Sequence, residues 1–125
     1  MTKPYRIHGD VYLVGSPNMT SGDDCLVYVL DGGSEMALID AGAGTSASDI
    51  ENNITSLGLQ PQNIKWLIAT HGHIDHIGGL SHFRRRYNCQ VVAHKNELSA
   101  IEQGLPHLTA AYYYGISYQP VPVDV

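Results

Sequence analysis

Residues 70–79 read THGHIDHIGG. His71, His73, Asp75 and His76 carry side chains that donate an electron pair, all within one short stretch. Imidazole nitrogen and carboxylate oxygen suit a borderline divalent ion such as zinc. A single histidine is ordinarily a hydrogen-bonded surface or core residue; ligand types packed this densely point to a metal. Alternate residues of an extended segment share a side. His71, His73 and Asp75 alternate, so all three are expected to project together. His76 breaks the alternation and is expected to point elsewhere, from the first turn of a following helix. One loop then serves two neighbouring metal positions. Gly72 leaves room for the ions, and Gly78-Gly79 lets the next helix approach closely. His8, His82, His94 and His107 lack such company and read as structural or exposed.

The motif needs elements to hold it. YRIHGDVYLVGS (5–16) reads as two short strands around Gly9-Asp10. CLVYVL (25–30) and MALID (36–40) flank Asp31–Glu35, a hairpin signature with glycines for the turn. These strands are apolar nearly throughout, which predicts cover on both faces. AGAGTSASDIENNITSLGL (41–59) switches to helical spacing, with Ile50, Ile54 and Leu57 on one stripe, Thr45, Ser46 or Ser48 as caps, and Gly58 as the stop. IKWLIAT (64–70) is a further strand that runs into the motif. A short helix is expected over 76–87, a strand over 89–94, and a helix over 95–104 stopped by Gly104 and Pro106. Hairpins followed by strand–helix–strand alternation predict an α/β domain with a mixed sheet. The strand before the motif places it at a C-terminal sheet edge, where open α/β sheets put their sites.

With 125 residues the chain reads as one domain, large enough to bury a core without disulfides. Its formal net charge of −5 argues against a nucleic-acid or anionic-membrane surface. Arg84-Arg85-Arg86 falls near a helix C-terminus, where cations suit the dipole, and reads as a solvated face. Cys25 and Cys89 lie far apart and read as buried thiols of a reduced, cytoplasmic protein. The N-terminus shows no secretory pattern, and no apolar run is long enough to span a bilayer. Tyr112-Tyr113-Tyr114 cannot all face one way on a helix, so packing is their expected use.

Thr70–Gly79 resembles the HxHxDH motif of the metallo-β-lactamase superfamily, which includes glyoxalase II-like hydrolases, lactonases and ribonuclease Z. VYLV (11–14), CLVYVLDGG (25–33) and ALIDAG (37–42) resemble its N-terminal strands and aspartate–glycine element. The resemblance spans essentially the whole chain. It implies an α/β fold: half of an αββα sandwich, a mixed β-sheet with helices packed on one face, as a single domain over 1–125. It implies that His71 and His73 bind a first metal, and Asp75 and His76 a second. Asp40 would support the ligand loop from behind, and Asp75 would also act in catalysis by orienting the nucleophilic water. The implied cofactors are two zinc ions, with iron or manganese as alternatives. The implied reaction is hydrolysis of an ester, thioester, lactone or phosphodiester in a small-molecule substrate. Histidine at position 73 favours this branch over the di-iron oxygen reductases, which carry glutamate there. Mononuclear iron persulfide dioxygenases share the motif and are the alternative chemistry.

The chain departs from that family in one respect. Family members have a second half, a pseudo-repeat, that supplies a third histidine to the first metal, a bridging aspartate, and a last histidine to the second. His82, His94 and His107 do not lie in the glycine- and proline-flanked settings the family uses, and Asp124 lies near the end. The tail PVPVDV resembles the stretch before that second half. The sequence therefore reads as an N-terminal half, and a catalytically incomplete metal-binding half-domain is the second reading. Half a sandwich exposes an apolar sheet face. Self-association, or pairing with a missing C-terminal half, is expected.

Overall fold

Runs of branched and aromatic residues fold into strands along the chain, as pleated surfaces favour. The computed structural model describes residues 2–125. Strands β1 (Tyr5–His8), β2 (Val11–Gly15), β3 (Val27–Asp31), β4 (Met36–Ile39), β5 (Ile64–Ile68) and β6 (Gln90–Val92) form one six-stranded sheet in chain order. The first four pair antiparallel; β5 joins β4, and β6 joins β5, in parallel. The sheet is thus mixed, as the order of hairpins and crossovers predicts. Helix α1 (Ala47–Ser56) crosses from β4 to β5, and helices α2 (Ile74–Ile77) and α3 (Leu80–Tyr87) cross from β5 to β6.

The register divides the sheet into two unlike faces. Val29 pairs with Leu38, Leu38 with Leu67, and Leu67 with Val91. All four are fully buried, together with Ile50 and Ile54 of α1 and Leu80 and Phe83 of α3. Each such side chain contributes about 1.5–3 kcal/mol by leaving water. The intervening residues Tyr28, Ala37, Ile39 and Ile68 are only half-buried, while Leu30 is 40% and Trp66 37% exposed. The expectation of cover on both faces is therefore corrected. An apolar run shows that both faces are apolar; it does not supply the second layer.

Several boundaries follow the sequence. Gly58 ends the α1 segment at φ +80, a conformation that asks for glycine. Ser46 occupies the α1 N-cap, but its hydroxyl donates to Asp24 instead of accepting from the helix. The three arginines lie in the last turn of α3; Arg84 approaches Asp124 at 3.8 Å and Arg86 pairs with Glu51 at 2.8 Å, so two of them are tethered. Cys25 and Cys89 are free and buried.

Others differ. The helix expected over 76–87 is broken into α2 and α3 at Gly78-Gly79. The segment 95–104 forms a 3-10 turn (Lys95–Glu97) and a π-helical turn (Ser99–Gln103), ended by Gly104 at φ +67. Two four-residue helices follow, α4 (Pro106–Thr109) and α5 (Ala111–Tyr114). The tyrosines of α5 are not packed: Tyr112, Tyr113 and Tyr114 are 60%, 77% and 39% exposed. So short a helix, entered through Ala110 at φ 61, buries only Ala111. The tail then borders β6, with Asp124 N and Val125 N donating to Val91 O at 2.8 and 3.2 Å. Among the described residues no helix is long and apolar enough to cross a membrane.

The Gly78-Gly79 break is a contact between backbones. A Cβ on Gly78 would lie 2.1 Å from Ala43 O, and one on Gly79 2.2 Å from Ala41 O. Gly78→Ala is expected to lower stability by about 1–3 kcal/mol through overpacking. Gly22→Ala, where an added Cβ meets nothing within 4 Å, should stay within about 0.5 kcal/mol. Urea unfolding of the two variants tests the difference, and equal midpoints would refute the close approach.

Candidate metal centre

The parallel strands β4 and β5 end side by side, and the chain turns sharply after each. Asp40 follows β4 at φ 62, a left-handed conformation that aspartate tolerates better than most residues. Its backbone N donates to Ile68 O at 2.8 Å, which fixes it to the end of β5. Its carboxylate is buried and faces the motif. Oδ1 accepts from Thr70 N at 2.8 Å, and Oδ2 accepts from Thr70 Oγ1 at 2.7 Å. Oδ2 also lies 2.8 Å from His76 Nδ1. An Nδ1 proton donated to Asp40 leaves the lone pair on His76 Nε2, the usual way a buried carboxylate sets the tautomer of a ligating histidine.

Extended backbone persists to His73 (φ −79, ψ 147), which starts α2. His76 N donates to His73 O at 2.9 Å, closing the first turn. The alternation expected for His71, His73 and Asp75 therefore stops at His73. Asp75 shares the helical turn with His76, and His76 Nε2 lies 3.5 Å from Asp75 Oδ2. The rings still gather: centroids of His71 and His73 are 4.7 Å apart, and those of His71 and His76 3.9 Å. The structure thus brings His71, His73, Asp75, His76 and Asp40 to one place at the sheet edge.

Electrostatics separates the histidines. Burial lowers the pKa of His71, and the neighbouring His76 and His73 add to the effect. Burial also works against a charged His76, but the hydrogen bond and charge of Asp40 and the charge of Asp75 outweigh it, so its pKa is raised. The carboxylates beside these rings favour positive charge, but among the described residues the donor atoms that gather within 4.8 Å of one another are those of Cys25, Asp40 and His76, without His71 or His73.

Three features were not legible beforehand. Gly72 serves packing: a Cβ there would lie 2.4 Å from Ala100 Cβ, while Gly72 N donates to Glu97 Oε1 at 2.7 Å. Asp24 is buried and binds the loop after β4, accepting from Ala43 N at 2.8 Å and from the Thr20 and Ser46 hydroxyls. Cys25 is buried beside the site, with its N 3.3 Å from Asp75 O. Burial, then the charge of Asp40, pushes its thiol pKa up to about 12. The one available signal was the hairpin: pairing of Tyr28 with Ile39 sets the residues before β3 beside those after β4. On the exposed α5, the charge of Asp75, then burial, raises the pKa of Tyr114.

The remaining histidines are placed as expected. His82 Nε2 lies 2.6 Å from Glu51 Oε1, and His94 Nδ1 accepts from Asn96 N at 3.0 Å. His8 and His107 are exposed on β1 and α4.

Sheet and turn together define an α/β protein with a histidine–carboxylate turn at its parallel edge. The sequence model of the metallo-beta-lactamase superfamily matches residues 20–125, and the chain belongs to that superfamily. It is similar to a hydroxyacylglutathione hydrolase of Anaeromyxobacter dehalogenans, 34% identical over 73 residues, which cover 58% of this chain and 26% of that protein. It is similar to a ribonuclease J of Synechocystis, 29% identical over 77 residues, covering 57% of this chain and 12% of that one. Among solved structures it resembles the metallo-beta-lactamase GOB-18 from Elizabethkingia meningoseptica, with a TM-score of 0.84 and 28% identity over 98% of this chain and 43% of that one. The chain thus spans less than half the length of these proteins.

The opposite shifts of His71 and His76 give an order of titration. In the metal-free protein, imidazole NMR signals should show a His71 midpoint below the usual 6.5 and a His76 midpoint above it. The folded-state pKa of His76 is the raised one. Its pairing with Asp40 therefore stabilises the fold fully below the unfolded value, and that contribution is lost as pH rises through the His76 midpoint. Asp40→Asn should bring the His76 midpoint down. A midpoint left in place by that substitution would show that Asp40 does not set it.

Proposed function

We propose that these residues form the metal-binding half of a two-metal hydrolase. The observation that carries this reading is the cluster of three imidazoles, with centroid spacings of 3.9 and 4.7 Å, backed by a buried carboxylate that fixes one of them. His71 and His73 would hold one zinc ion, and Asp75 and His76 the other. Bound zinc supplies a water of lowered pKa and polarises a carbonyl or phosphoryl oxygen. Asp75, half-buried beside His76, would orient the proton of the attacking water. Asp40 keeps the lone pair of His76 Nε2 available. The substrate is an ester, thioester, lactone or phosphodiester; the similarity to a hydroxyacylglutathione hydrolase supports the small-molecule thioester within that range. The acidic balance of −5 supports a small molecule over a nucleic acid. Two free, buried thiols support a reducing, cytoplasmic setting.

The test uses purified protein with no added metal. Zinc is expected by elemental analysis, and hydrolysis of at least one among a hydroxyacylglutathione, a lactone and an activated phosphodiester is expected once a second half completes the ligand set; zinc held without hydrolysis by these 125 residues is the outcome of the incomplete half-domain. A chelator should abolish the activity and zinc restore it, and His71→Ala should lower it by more than about 100-fold, beyond what losing an outer partner of a ligand costs. Hydrolysis that ignores the chelator would sink this reading. One iron per chain with oxidation of a persulfide would replace it by the dioxygenase alternative.

A second reading concerns association and rests on the uncovered sheet face. Trp66 and Leu30 stand on it, 37% and 40% exposed, among half-buried apolar neighbours. In these 125 residues alone a second copy covers that face; in a longer chain a further sheet does. Light scattering should find dimers or larger species, and Trp66→Glu with Leu30→Glu should yield monomers. A monomer at high concentration without those substitutions would end this reading.

A further inference from the structure

We propose that Cys25, Asp40 and His76 form a second, softer cation site on the inner side of the histidine turn. Each offers one donor atom, and the three atoms all lie within 4.8 Å of one another. They come from three separate segments: the loop entering β3, the turn leaving β4, and α2. Nothing in the HxHxDH spacing encodes Cys25, which arrives through the antiparallel register of β3 on β4.

The cradle is held by the backbone. Cys25 N approaches Asp75 O at 3.3 Å, Ala41 N donates to His76 O at 2.8 Å, and Asp40 N donates to Ile68 O at 2.8 Å. The Cys25 thiol lies 3.4 Å from Leu26 O and also meets the Gly42 backbone. Cys25 and Asp40 are buried and His76 is partly so, so a cation here is shielded from bulk water. Charge decides what fits. A thiolate, a carboxylate and a neutral imidazole carry −2 in all, which a divalent ion neutralises, and a neutral assembly avoids the cost of a buried net charge. Sulfur with imidazole selects zinc, cadmium or cobalt over magnesium or calcium. On binding, the Cys25 S–H bond breaks, a sulfur–metal bond forms and that proton passes to solvent, while the His76 proton shared with Asp40 moves through solvent from Nδ1 to Nε2 so that Nδ1 offers its lone pair; His76 then serves this site or the turn, one at a time. No electron is transferred.

This site shares His76 with the turn but needs neither His71 nor His73, and that separates the two by experiment. Cobalt(II) is the probe, since thiolate ligation adds a charge-transfer band in the near ultraviolet that histidine and carboxylate ligands do not give. The band is expected in the unsubstituted protein, in Cys89→Ser, and in His71→Ala with His73→Ala. Cys25→Ser should lose it while keeping its circular dichroism spectrum. Bound cobalt with no such band, or a band that survives Cys25→Ser, overturns the proposal. If Cys25→Ser fails to fold, X-ray absorption at the cobalt edge of the unsubstituted protein decides instead: a sulfur neighbour supports the site, and a shell of nitrogen and oxygen alone refutes it.

Discussion

The Asp40 carboxylate is the constraint on which the candidate site rests. It is buried, so its charge would be costly without donors. Thr70 N, Thr70 Oγ1 and His76 Nδ1 surround it at 2.7–2.8 Å. Hydrogen bonds to an ionised acceptor are among the stronger ones in proteins, and these three tie the end of β4 to the exit of β5 and to α2. The residue must also accept φ 62. Glycine would accept that angle without a carboxylate, and a longer acid would overshoot Thr70. Aspartate meets both demands. The left-handed turn after β4, the path of the motif and the tautomer of His76 therefore depend on one side chain.

The same pleat that builds the core leaves the other sheet face open. Val29, Leu38, Leu67 and Val91 alternate with Tyr28, Leu30, Ile39 and Trp66. The first set meets α1 and α3 and is fully buried; the second is not. A sheet with helices on one side only is a two-layer structure, and apolar residues on its free side expect a third. The chain spans 43% of the GOB-18 structure it resembles.

Local periodicity was legible in the sequence, and contacts between distant segments were not. The stripe of Ile50 and Ile54, the stop at Gly58 and the crossover order could be read because each is set within a few residues. The donor set His71, His73, Asp75, His76 could be read for the same reason. The direction of Asp75 could not, because α2 starts one residue before it, earlier than alternation implies. Gly72 was assigned to the ions but answers to Ala100, 28 positions on. Cys25 reads as a strand residue, and nothing in its own segment marks Asp24. Their roles come from the pairing of β3 with β4, and no spacing within either segment announces it.

The site's charge is balanced by geometry more than by countercharge. Asp24 and Asp40 are both buried within a few ångströms of the loop between β4 and α1, and both are satisfied by amides and hydroxyls. Asp75 stands beside them, and its ion-pair partner is His76. The arginines of α3 are engaged elsewhere, Arg84 with Asp124 and Arg86 with Glu51. Hydrogen bonds stabilise these carboxylates but do not cancel their charge, so the field at the sheet edge stays negative. A protein that holds negative groups together through rigid backbone contacts, Gly78 against Ala43 and Gly79 against Ala41, cannot relax that field by moving apart. Raising the proton affinity of His76 is one response to it. Binding a cation in place of that proton is the stronger one, because a divalent ion brings twice the charge and accepts donors from several segments at once.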